Sequence, residues 1–285
     1  MIDIFSEIGK SNAIIDKALE SKFQSDEPIV SILIDAERYS VMSGGKRVRP
    51  FLTLEFCKLF GGKIEAAVPF AMAVEVIHSS SLIHDDLPCM DDDDMRRGKP
   101  SCHIAFGEAN ALLAGDALLL YAFELCSENK AVSPEIIVNA VSVLAASTGN
   151  FGMVGGQVID LYGDTHKLDF ETLIKLHSMK TGALIGAAVK LGCLAAGKSF
   201  DSEEYENASI YAKNIGLTFQ IIDDILDARA GEEAPEKTTF LKFMTEDEAL
   251  KYASDLTDKA IDAIKNYDGS EVLIAFAEYL LNRNK

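Results

Sequence analysis

Two acidic clusters lie at the ends of long apolar stretches, where carboxylates are costly to bury. The first runs from Asp85 to Asp94 after AMAVEVIHSSSLIH, and the second runs from Asp223 to Asp227 after GLTFQII. A carboxylate among Ile, Leu and Phe loses hydration unless a positive group meets it, and the C-terminal end of a helix is already partly negative. The two clusters therefore predict bound cations, and hard divalent metals with oxygen ligands fit best.

Apolar residues recur along the chain at helical spacing, and no convincing strand-like alternation accompanies them. Stretches such as TGALIGAAVKLGCLAA are apolar nearly all round, which is typical of the middle of a helical bundle. The pattern predicts an all-α fold, one large helical bundle forming a single domain over residues 1–285. The predicted helices are 3–22, 28–42, 47–60, 64–87, 109–128, 133–148, 151–162, 169–179, 181–196, 202–228, 245–266 and 270–283.

Charge and cysteine content exclude several classes of partner. The formal net charge of −18 argues against nucleic acid and against an anionic membrane surface. It leaves anionic substrates open, because a metal inverts the local sign. The five cysteines show no CxxC or CxxH spacing, no secretory signal pattern opens the chain, and no apolar run reaches membrane length. We therefore expect a reduced cytoplasmic protein without stable membrane insertion.

Helix geometry places His78, Ser81 and Asp85 on one stripe of the helix that carries the first cluster. Pro88 ends this helix, so Asp91 has to curl back on a short loop. Asp85 and Asp91 are thus predicted to share one or two ions.

On the helix of the second cluster, Gln220, Asp223 and Asp227 share a face. Asp223 is flanked by residues of buried type, which favours a ligand role. The run from Asp92 to Asp94 is equally consistent with a solvated surface.

Basic segments supply the opposite charge. SGGKRVRP, at residues 43–50, combines two glycines with three cations, and glycine lets a backbone approach a phosphate closely while Arg binds it through its fork. RRGK at 96–99, Lys180 and Lys237 are further candidates, although each alone is explained by a helix start or by charge neutralisation. Together with the acidic clusters they predict a site for Mg²⁺ and a diphosphate, with an apolar stripe for a hydrocarbon tail. No GxxxxGK[ST] occurs, so nucleotide chemistry is not favoured.

Ordered sequence blocks carry a resemblance to a known family. They are GGKRVRP, EVIHSSSLIHDDLPCMDDDDMRRGKPSCH, GEANALLAGDALL, GMVGGQVIDL, HSMKTGALI and FQIIDDILD. The chain resembles the trans-prenyl diphosphate synthases, the farnesyl and geranylgeranyl diphosphate synthase family, over about residues 38–228 and more weakly at the C-terminus. The resemblance implies a helical bundle of the isoprenoid synthase type with a central active-site cavity.

The resemblance also implies roles for single residues and substrates. Mg²⁺, as three ions per site, would be bound by Asp85, Asp86 and Asp91 of the first aspartate-rich motif and by Asp223, Asp224 and Asp227 of the second. The residues expected to hold isopentenyl diphosphate are Gly45, Lys46, Arg49, His78 and Arg97. Those expected to hold the allylic diphosphate are Arg96, Lys180 and Lys237. The catalytic residues would be Lys180, Thr181 and Gln220, with the last two facing the developing cation.

The implied reaction is dissociative. The allylic C–O bond ionises while Mg²⁺ and basic side chains stabilise the departing diphosphate, and the alkene of isopentenyl diphosphate attacks the allylic carbon. The chain departs from the family in the segment ARAGEEAPEKTTF, which is short. Glu236 replaces a Gly, Phe240 stands at the aromatic position and no Pro follows, which weakens the assignment of Lys237.

Product length is expected to follow the depth of the apolar tunnel, since one helical turn of about 5.4 Å is close to one isoprene unit. In the family, the residues four and five positions before the first Asp form a floor, and many bacterial farnesyl synthases carry an aromatic there. Here they are Ser81 and Ser80, both small. We therefore expect the chain to stop near C20, at Ile77 and Val74, giving geranylgeranyl diphosphate. Farnesyl diphosphate is the alternative.

Further alternatives concern the tunnel and the activity. Phe106 or Tyr121, from a neighbouring helix, would block the tunnel whatever stands at the serines. A class I terpene cyclase would lack DDILD and GGKRVRP, and a non-catalytic regulatory subunit would have lost site residues. The resemblance implies a homodimer, for which the apolar helices at 109–148 offer a surface.

Overall fold

A computed structural model describes residues 2–24, 26–231 and 238–283, and Lys237 lies outside these ranges. The predicted all-α fold is confirmed. The helices are α1 Ile4–Glu20, α2 Ser31–Val41, α3 Val48–Leu59, α4 Ile64–Asp85, α5 Cys102–Phe106, α6 Glu108–Ser127, α7 Pro134–Thr148, α8 Met153–Gly163, α9 Phe170–His177, α10 Ala183–Ala195, α11 Glu203–Ala230, α12 Glu246–Ile264 and α13 Glu271–Asn282. Two short strands, β1 Met95–Arg96 and β2 Lys99–Pro100, form an antiparallel pair.

Two features differ from the sequence prediction. The break expected between helices 169–179 and 181–196 is a π turn at Ser178–Gly182, which continues the helical path from α9 into α10. The strand pair and α5 were not predicted, because segments of two and five residues are too short to show a periodic pattern.

Local signals explain several helix ends. The Thr245 hydroxyl and the Glu248 carboxylate form a reciprocal capping box at the start of α12. Ser202 caps α11, and Gly231, with φ +72°, ends it in the left-handed conformation that glycine adopts without strain.

Helix α4 lies at the centre of the bundle and packs against α3, α6 and α10. It is antiparallel to α6, and two hydrogen bonds fix their alignment. Asn129 Nδ2 donates to Ala66 O at 2.8 Å near one end, and Ser80 Oγ donates to Gly115 O at 2.8 Å near the other. The first acidic motif therefore lies at the end of a rigid buried helix.

The expectation that no apolar run reaches membrane length was wrong. Three helical stretches, Ile64–Asp85, Glu108–Ser127 and Pro134–Gly163, are long and apolar enough to span a bilayer by length and composition alone. Burial explains the first, since 72% of its most apolar window lies inside the protein. The other two windows are only 39% and 33% buried, so much of their apolar surface faces outward.

Candidate active site

The first aspartate motif folds back on itself at the end of α4. Asp91 N donates to Asp85 O at 2.9 Å, so the loop after Pro88 returns to the helix end as expected. Burial raises the pKa of Asp85 to about 6. The positive charge of Lys180 lowers this pKa, and the negative charge of Asp91 raises it by a smaller amount. A carboxylate held at such cost is suited to a cation.

Asp86 has a different environment from Asp85. Its side chain is 3% exposed and forms an ion pair with Arg96, whose Nε lies 2.9 Å from Asp86 Oδ1. The same guanidinium reaches Asp93 Oδ2 at 2.9 Å. Arg96 thus fixes the loop that carries the motif, and neither Asp86 nor Arg96 lines the two large cavities described below.

The second motif is tied to the C-terminus. Both oxygens of Asp223 accept hydrogen bonds, one from Arg283 Nη2 at 2.6 Å and one from Gln220 Nε2 at 3.3 Å. Arg283 also donates to Phe219 O at 2.9 Å, and its side chain is 4% exposed. Asp227, one turn further along the same face, is exposed.

Asp224 points to the other side of α11. Its carboxylate accepts the backbone N–H of Phe240 at 2.8 Å and is buried. It therefore anchors the 3-10 turn Phe240–Lys242, which follows the segment containing Lys237. Lys237 itself lies outside the described residues.

An apolar cavity of about 480 Å³, here called the tail cavity, opens beside Asp85. Helices α4, α6 and α8 and the π turn form its walls. The predicted site residues among its lining are Arg49, His78, Ser80, Ser81, Asp85, Lys180 and Thr181. Ile77 and Val74 are fully buried but do not line it.

Phe106 and Tyr121 also do not line the tail cavity. Phe106 packs edge-on against Tyr39, and Tyr121 packs against Phe23. The structure therefore places neither ring where it would block the tail cavity.

A second cavity of about 560 Å³, here called the basic cavity, lies next to the first. All five residues expected to hold isopentenyl diphosphate line it: Gly45, Lys46, Arg49, His78 and Arg97. Two of them, Arg49 and His78, line both cavities. The two cavities therefore meet at these side chains.

Close packing and charge shape the basic cavity. Gly45 has φ +123°, a conformation that strains any other residue, and a Cβ at this position would lie 2.8 Å from the Arg97 guanidinium and displace it. Burial holds the pKa of His78 well below its usual value, and the positive charges of Arg49 and Arg97 lower it further. Its imidazole is therefore neutral. Among the described residues the buried Nε of Arg49 has no hydrogen-bond partner, and an anion in either cavity would provide one.

The π turn positions Lys180 and Thr181. Lys180 Nζ forms an ion pair with Asp160 of α8, a residue that sequence reasoning missed although it lies in the block GMVGGQVIDL. Gly156 of α8 allows this approach, because a Cβ there would lie 2.2 Å from Lys180 N. The extra residue of the π turn rotates the chain at this point. Lys180 and Thr181 therefore line the tail cavity, and the turn packs against α8.

His177 orients Gln220. Its Nδ1 lies 3.0 Å from Gln220 Oε1, and its ring stacks on Phe240 at 5.2 Å between centroids. With the bond from Gln220 to Asp223, this forms a chain of contacts from Phe240 to the second motif. No local pattern in the sequence indicated the part that joins Phe240 and His177 to Gln220, since these three residues lie 20 positions or more apart.

The donor set fits Mg²⁺ bound together with a diphosphate. The described part of the chain holds no group of three or more His, Cys, Asp or Glu side chains placed to bind one ion. Mg²⁺ is commonly held by one or two carboxylates together with substrate phosphates, and it keeps several waters. Asp85 and Asp91 supply such a pair, and Asp223 and Asp227 supply another on α11. Ions there would neutralise the charge of a bound diphosphate.

Comparisons with known proteins agree with this geometry. Residues 30–262 match the profile of the polyprenyl synthetase family. The chain is 43% identical to geranylgeranyl pyrophosphate synthase 7 of Arabidopsis thaliana, over 97% of this chain and 82% of that protein. It is 41% identical to farnesyl diphosphate synthase of Escherichia coli, over 89% and 90% of the two chains. A crystal structure of an FPP/GFPP synthase from Zymomonas mobilis superposes with a TM-score of 0.91 at 38% identity, covering 98% of this chain and 99% of that one. The protein belongs to the polyprenyl synthetase family.

Proposed function

We propose that this protein is a short-chain trans-prenyl diphosphate synthase. It condenses isopentenyl diphosphate with the allylic primers dimethylallyl, geranyl and farnesyl diphosphate, and its final product is geranylgeranyl diphosphate. The observation that carries the proposal is the contact between the two cavities at Arg49 and His78. One cavity is basic and the other apolar with a carboxylate at its mouth, as two substrates joined end to end would require.

Side chains of the protein bind and orient the two substrates and exclude water from them. Arg49, Arg97 and Lys46 bind the diphosphate of isopentenyl diphosphate, which places its alkene at the boundary with the tail cavity. Lys180 and Thr181 line the tail cavity beside Asp85, where the allylic C–O bond breaks. The new C–C bond forms across this boundary, and the released diphosphate takes the proton lost from the isopentenyl unit. The apolar walls keep water from the allylic cation.

An elongation assay tests the proposal. The purified protein is incubated with Mg²⁺, labelled isopentenyl diphosphate and each allylic primer, and the products are separated by length. We expect label in products up to C20. Absence of elongation with every primer overturns the proposal, and conversion of a primer to hydrocarbon without isopentenyl consumption indicates a terpene cyclase.

A matched pair of variants localises the activity. Arg49→Gln should lower turnover by about 10²-fold or more, because a charged donor to the diphosphate is lost between the cavities. Arg38→Gln, at a side chain that is 52% exposed, should leave turnover unchanged.

Two observations support a C20 product over the C15 alternative. Ser80 is small, and its hydroxyl bonds to Gly115 O, so it leaves the tail cavity open at the depth where an aromatic ring would close it. Curated relatives at 42–44% identity are named geranylgeranyl synthases, including those of Arabidopsis thaliana and Cyanophora paradoxa. A product ending at C15 would favour the alternative.

A homodimer is part of the proposal. Apolar side chains on α6, α7 and α8 and in the turn before α8 are exposed in the single chain, among them Leu120 at 73%, Val138 at 66% and, in that turn, Phe151 at 91%. Leu112 and Val158, which line the tail cavity, are exposed as well. A second copy packed on this surface would cover both the apolar face and the open side of the cavity.

We also propose a reducing, cytoplasmic location. All five cysteines lie among the described residues, and all five are free thiols. A compartment that keeps thiols reduced is consistent with this.

A further inference from the structure

We propose that His84 is a positioning residue for the Mg²⁺ ligand Asp85, because its imidazole fixes the end of α4 to α6. The inference rests on the proposed synthase activity and names a residue that had no predicted role. His84 comes directly before the first aspartate motif and lines the tail cavity. It acts on the metal through the position of Asp85.

Two side chains of α4 are hydrogen-bonded to backbone carbonyls of α6. Ser80 Oγ donates to Gly115 O at 2.8 Å, and one turn later His84 Nε2 lies 3.2 Å from Leu112 O. Since a carbonyl only accepts, Nε2 carries the proton and donates this hydrogen bond. The Asp116 carboxylate lies 3.7 Å from the same nitrogen. The imidazole therefore joins the two helices at the residue before the motif.

Glycine at position 115 leaves the space that the imidazole occupies. A Cβ at Gly115 would lie 2.1 Å from His84 Nε2, and the three atoms nearest to that Cβ all belong to the His84 ring. The ring is thus packed directly against the backbone of α6, with the side chain 26% exposed. A ring confined in this way holds the end of α4 at a fixed distance from α6.

The contact lies where α4 would otherwise fray. Asp85 is the last residue of α4, and the last carbonyls of a helix have no partner within it. His84 O accepts the backbone N–H of Leu87 at 3.2 Å, so His84 also holds the start of the loop. On the other side, the ion pair with Arg96 fixes Asp86. Asp85 therefore lies between two neighbours whose side chains are anchored.

Loss of the His84 bond should weaken Mg²⁺ binding selectively. Groups that orient metal ligands change metal affinity by about 10–100-fold without touching the ion. A freer helix end would place Asp85 and Asp91 less precisely for a shared ion. Because His84 does not line the basic cavity, binding of isopentenyl diphosphate should not change.

Two substitutions of His84 test this selectivity. His84→Leu removes the donor, whereas His84→Gln places an amide N–H near the position of Nε2. In His84→Leu the Mg²⁺ concentration that gives half-maximal turnover should rise by about tenfold or more, with the KM for isopentenyl diphosphate unchanged. His84→Gln should stay close to wild type in both quantities. A purely structural role would instead lower the melting temperature and leave the Mg²⁺ dependence as it is.

Calorimetry measures the metal affinity without turnover. Mg²⁺ is titrated into protein saturated with geranyl thiodiphosphate, whose C–S bond ionises far more slowly than the C–O bond of the primer. We expect Mg²⁺ to bind His84→Leu about tenfold more weakly than wild type. His166→Leu is the matched control, because that ring is exposed in the turn after α8 and stacks on Tyr162. Its Mg²⁺ affinity should equal that of the wild type.

Gly115→Ala tests the same contact from α6. Its Cβ displaces the His84 ring, so Mg²⁺ affinity should fall as it does in His84→Leu. In the double variant Gly115→Ala/His84→Ala the ring is absent, and the change at position 115 should add little to the effect of His84→Ala alone.

The inference is overturned by wild-type Mg²⁺ affinity in His84→Leu, by equal losses in His84→Leu and His84→Gln, or by full additivity in the double variant. Wild-type protein that fails to elongate any primer at saturating Mg²⁺ overturns the proposed activity instead. The calorimetric comparison still decides the role of His84 in that case, since it requires no turnover.

Discussion

Arg47 lies in the middle of the basic segment, and its charge is paired inside the protein, at the wall of the basic cavity. Its side chain is 1% exposed, and its Nη1 donates to Glu75 Oε1 at 2.6 Å, with Glu75 3% exposed. Further bonds reach Asp16 at 3.1 Å and Val41 O at 2.6 Å. Arg47 itself has φ +47°, a strained conformation for a residue with a side chain. These contacts hold the segment so that its neighbours Lys46 and Arg49 face the basic cavity.

We expect removal of one partner of this pair to be costly. Glu75→Leu leaves a buried guanidinium without its main counter-ion and should destabilise the protein by about 3–5 kcal/mol. The double variant Arg47→Met/Glu75→Leu should recover most of this loss, because it removes both charges. Its KM for isopentenyl diphosphate should stay raised, since the segment is no longer held and both substituted side chains also line the basic cavity.

Urea unfolding and steady-state kinetics measure the two effects. Lys265→Met serves as the control, because it breaks an ion pair with Asp262 in which the two side chains are 52% and 66% exposed, and it should cost less than about 1 kcal/mol. A double variant with a wild-type KM would show that the pair contributes to stability alone.

At the scale of elements, the π turn shows what the sequence could and could not predict. The helices themselves follow from apolar periodicity, and the return of Asp91 to Asp85 follows from Pro88. The π turn does not, because its hydrogen-bond register depends on the packing of α8 against it. The ion pair of Asp223 with Arg283 was equally hidden, since it joins residues 60 positions apart.

A glycine substitution tests how closely α8 approaches the π turn. In Gly156→Ala the new Cβ would lie 2.2 Å from Lys180 N and 2.6 Å from Lys180 Cα, so α8 or the turn has to move. We expect turnover to fall by about 10²-fold, since displacements of 1 Å at a catalytic group have effects of that size. The measurement is kcat, alongside the melting temperature.

Gly186→Ala is the control within α10. A Cβ there meets open space, and alanine favours a helix interior over glycine by about 1 kcal/mol, so this variant should keep its activity and melt at the same or a higher temperature. Wild-type turnover in Gly156→Ala would contradict the account of the π turn.

Because Glu37 on α2 is buried, the stability of the folded protein depends on pH. The residue is 5% exposed, and burial raises the pKa of its carboxyl from 4.5 to about 7. The folded protein therefore keeps this proton up to about pH 7, while the unfolded chain releases it near pH 4.5. Stability accordingly falls as pH rises from 4.5 to 7, and the loss is complete above pH 7.

Glu37→Gln should remove this penalty. At pH 8 we expect the variant to be more stable than wild type by up to about 3 kcal/mol, and near pH 4.5 the difference should vanish. Urea unfolding at the two pH values measures it, with Glu20→Gln, at a side chain that is 64% exposed, as the control. A stability difference of equal size at both pH values would contradict the assignment.

At the scale of the whole molecule, the chain combines a formal net charge of −18 with a broad apolar face. The charge opposes contact with anionic bilayers, whereas an apolar face on α6, α7 and α8 needs a partner to cover it. A second copy meets both conditions when it buries the apolar faces against each other and leaves the charged surfaces in water.

Leu120 is the residue at which this arrangement is most easily disrupted. Leu120→Glu places a carboxylate in the apolar face and, in a two-fold symmetric contact, introduces it twice. Sedimentation should show wild type at twice the 31.0 kDa mass of one chain and the variant at a single mass. Phe5→Glu is the control, because Phe5 is 66% exposed but lies on α1, where it packs against Tyr279. Turnover of the monomeric variant should be lower than that of the wild type, because the tail cavity loses the cover over Leu112 and Val158. A Leu120→Glu protein that remains dimeric would place the interface on another face.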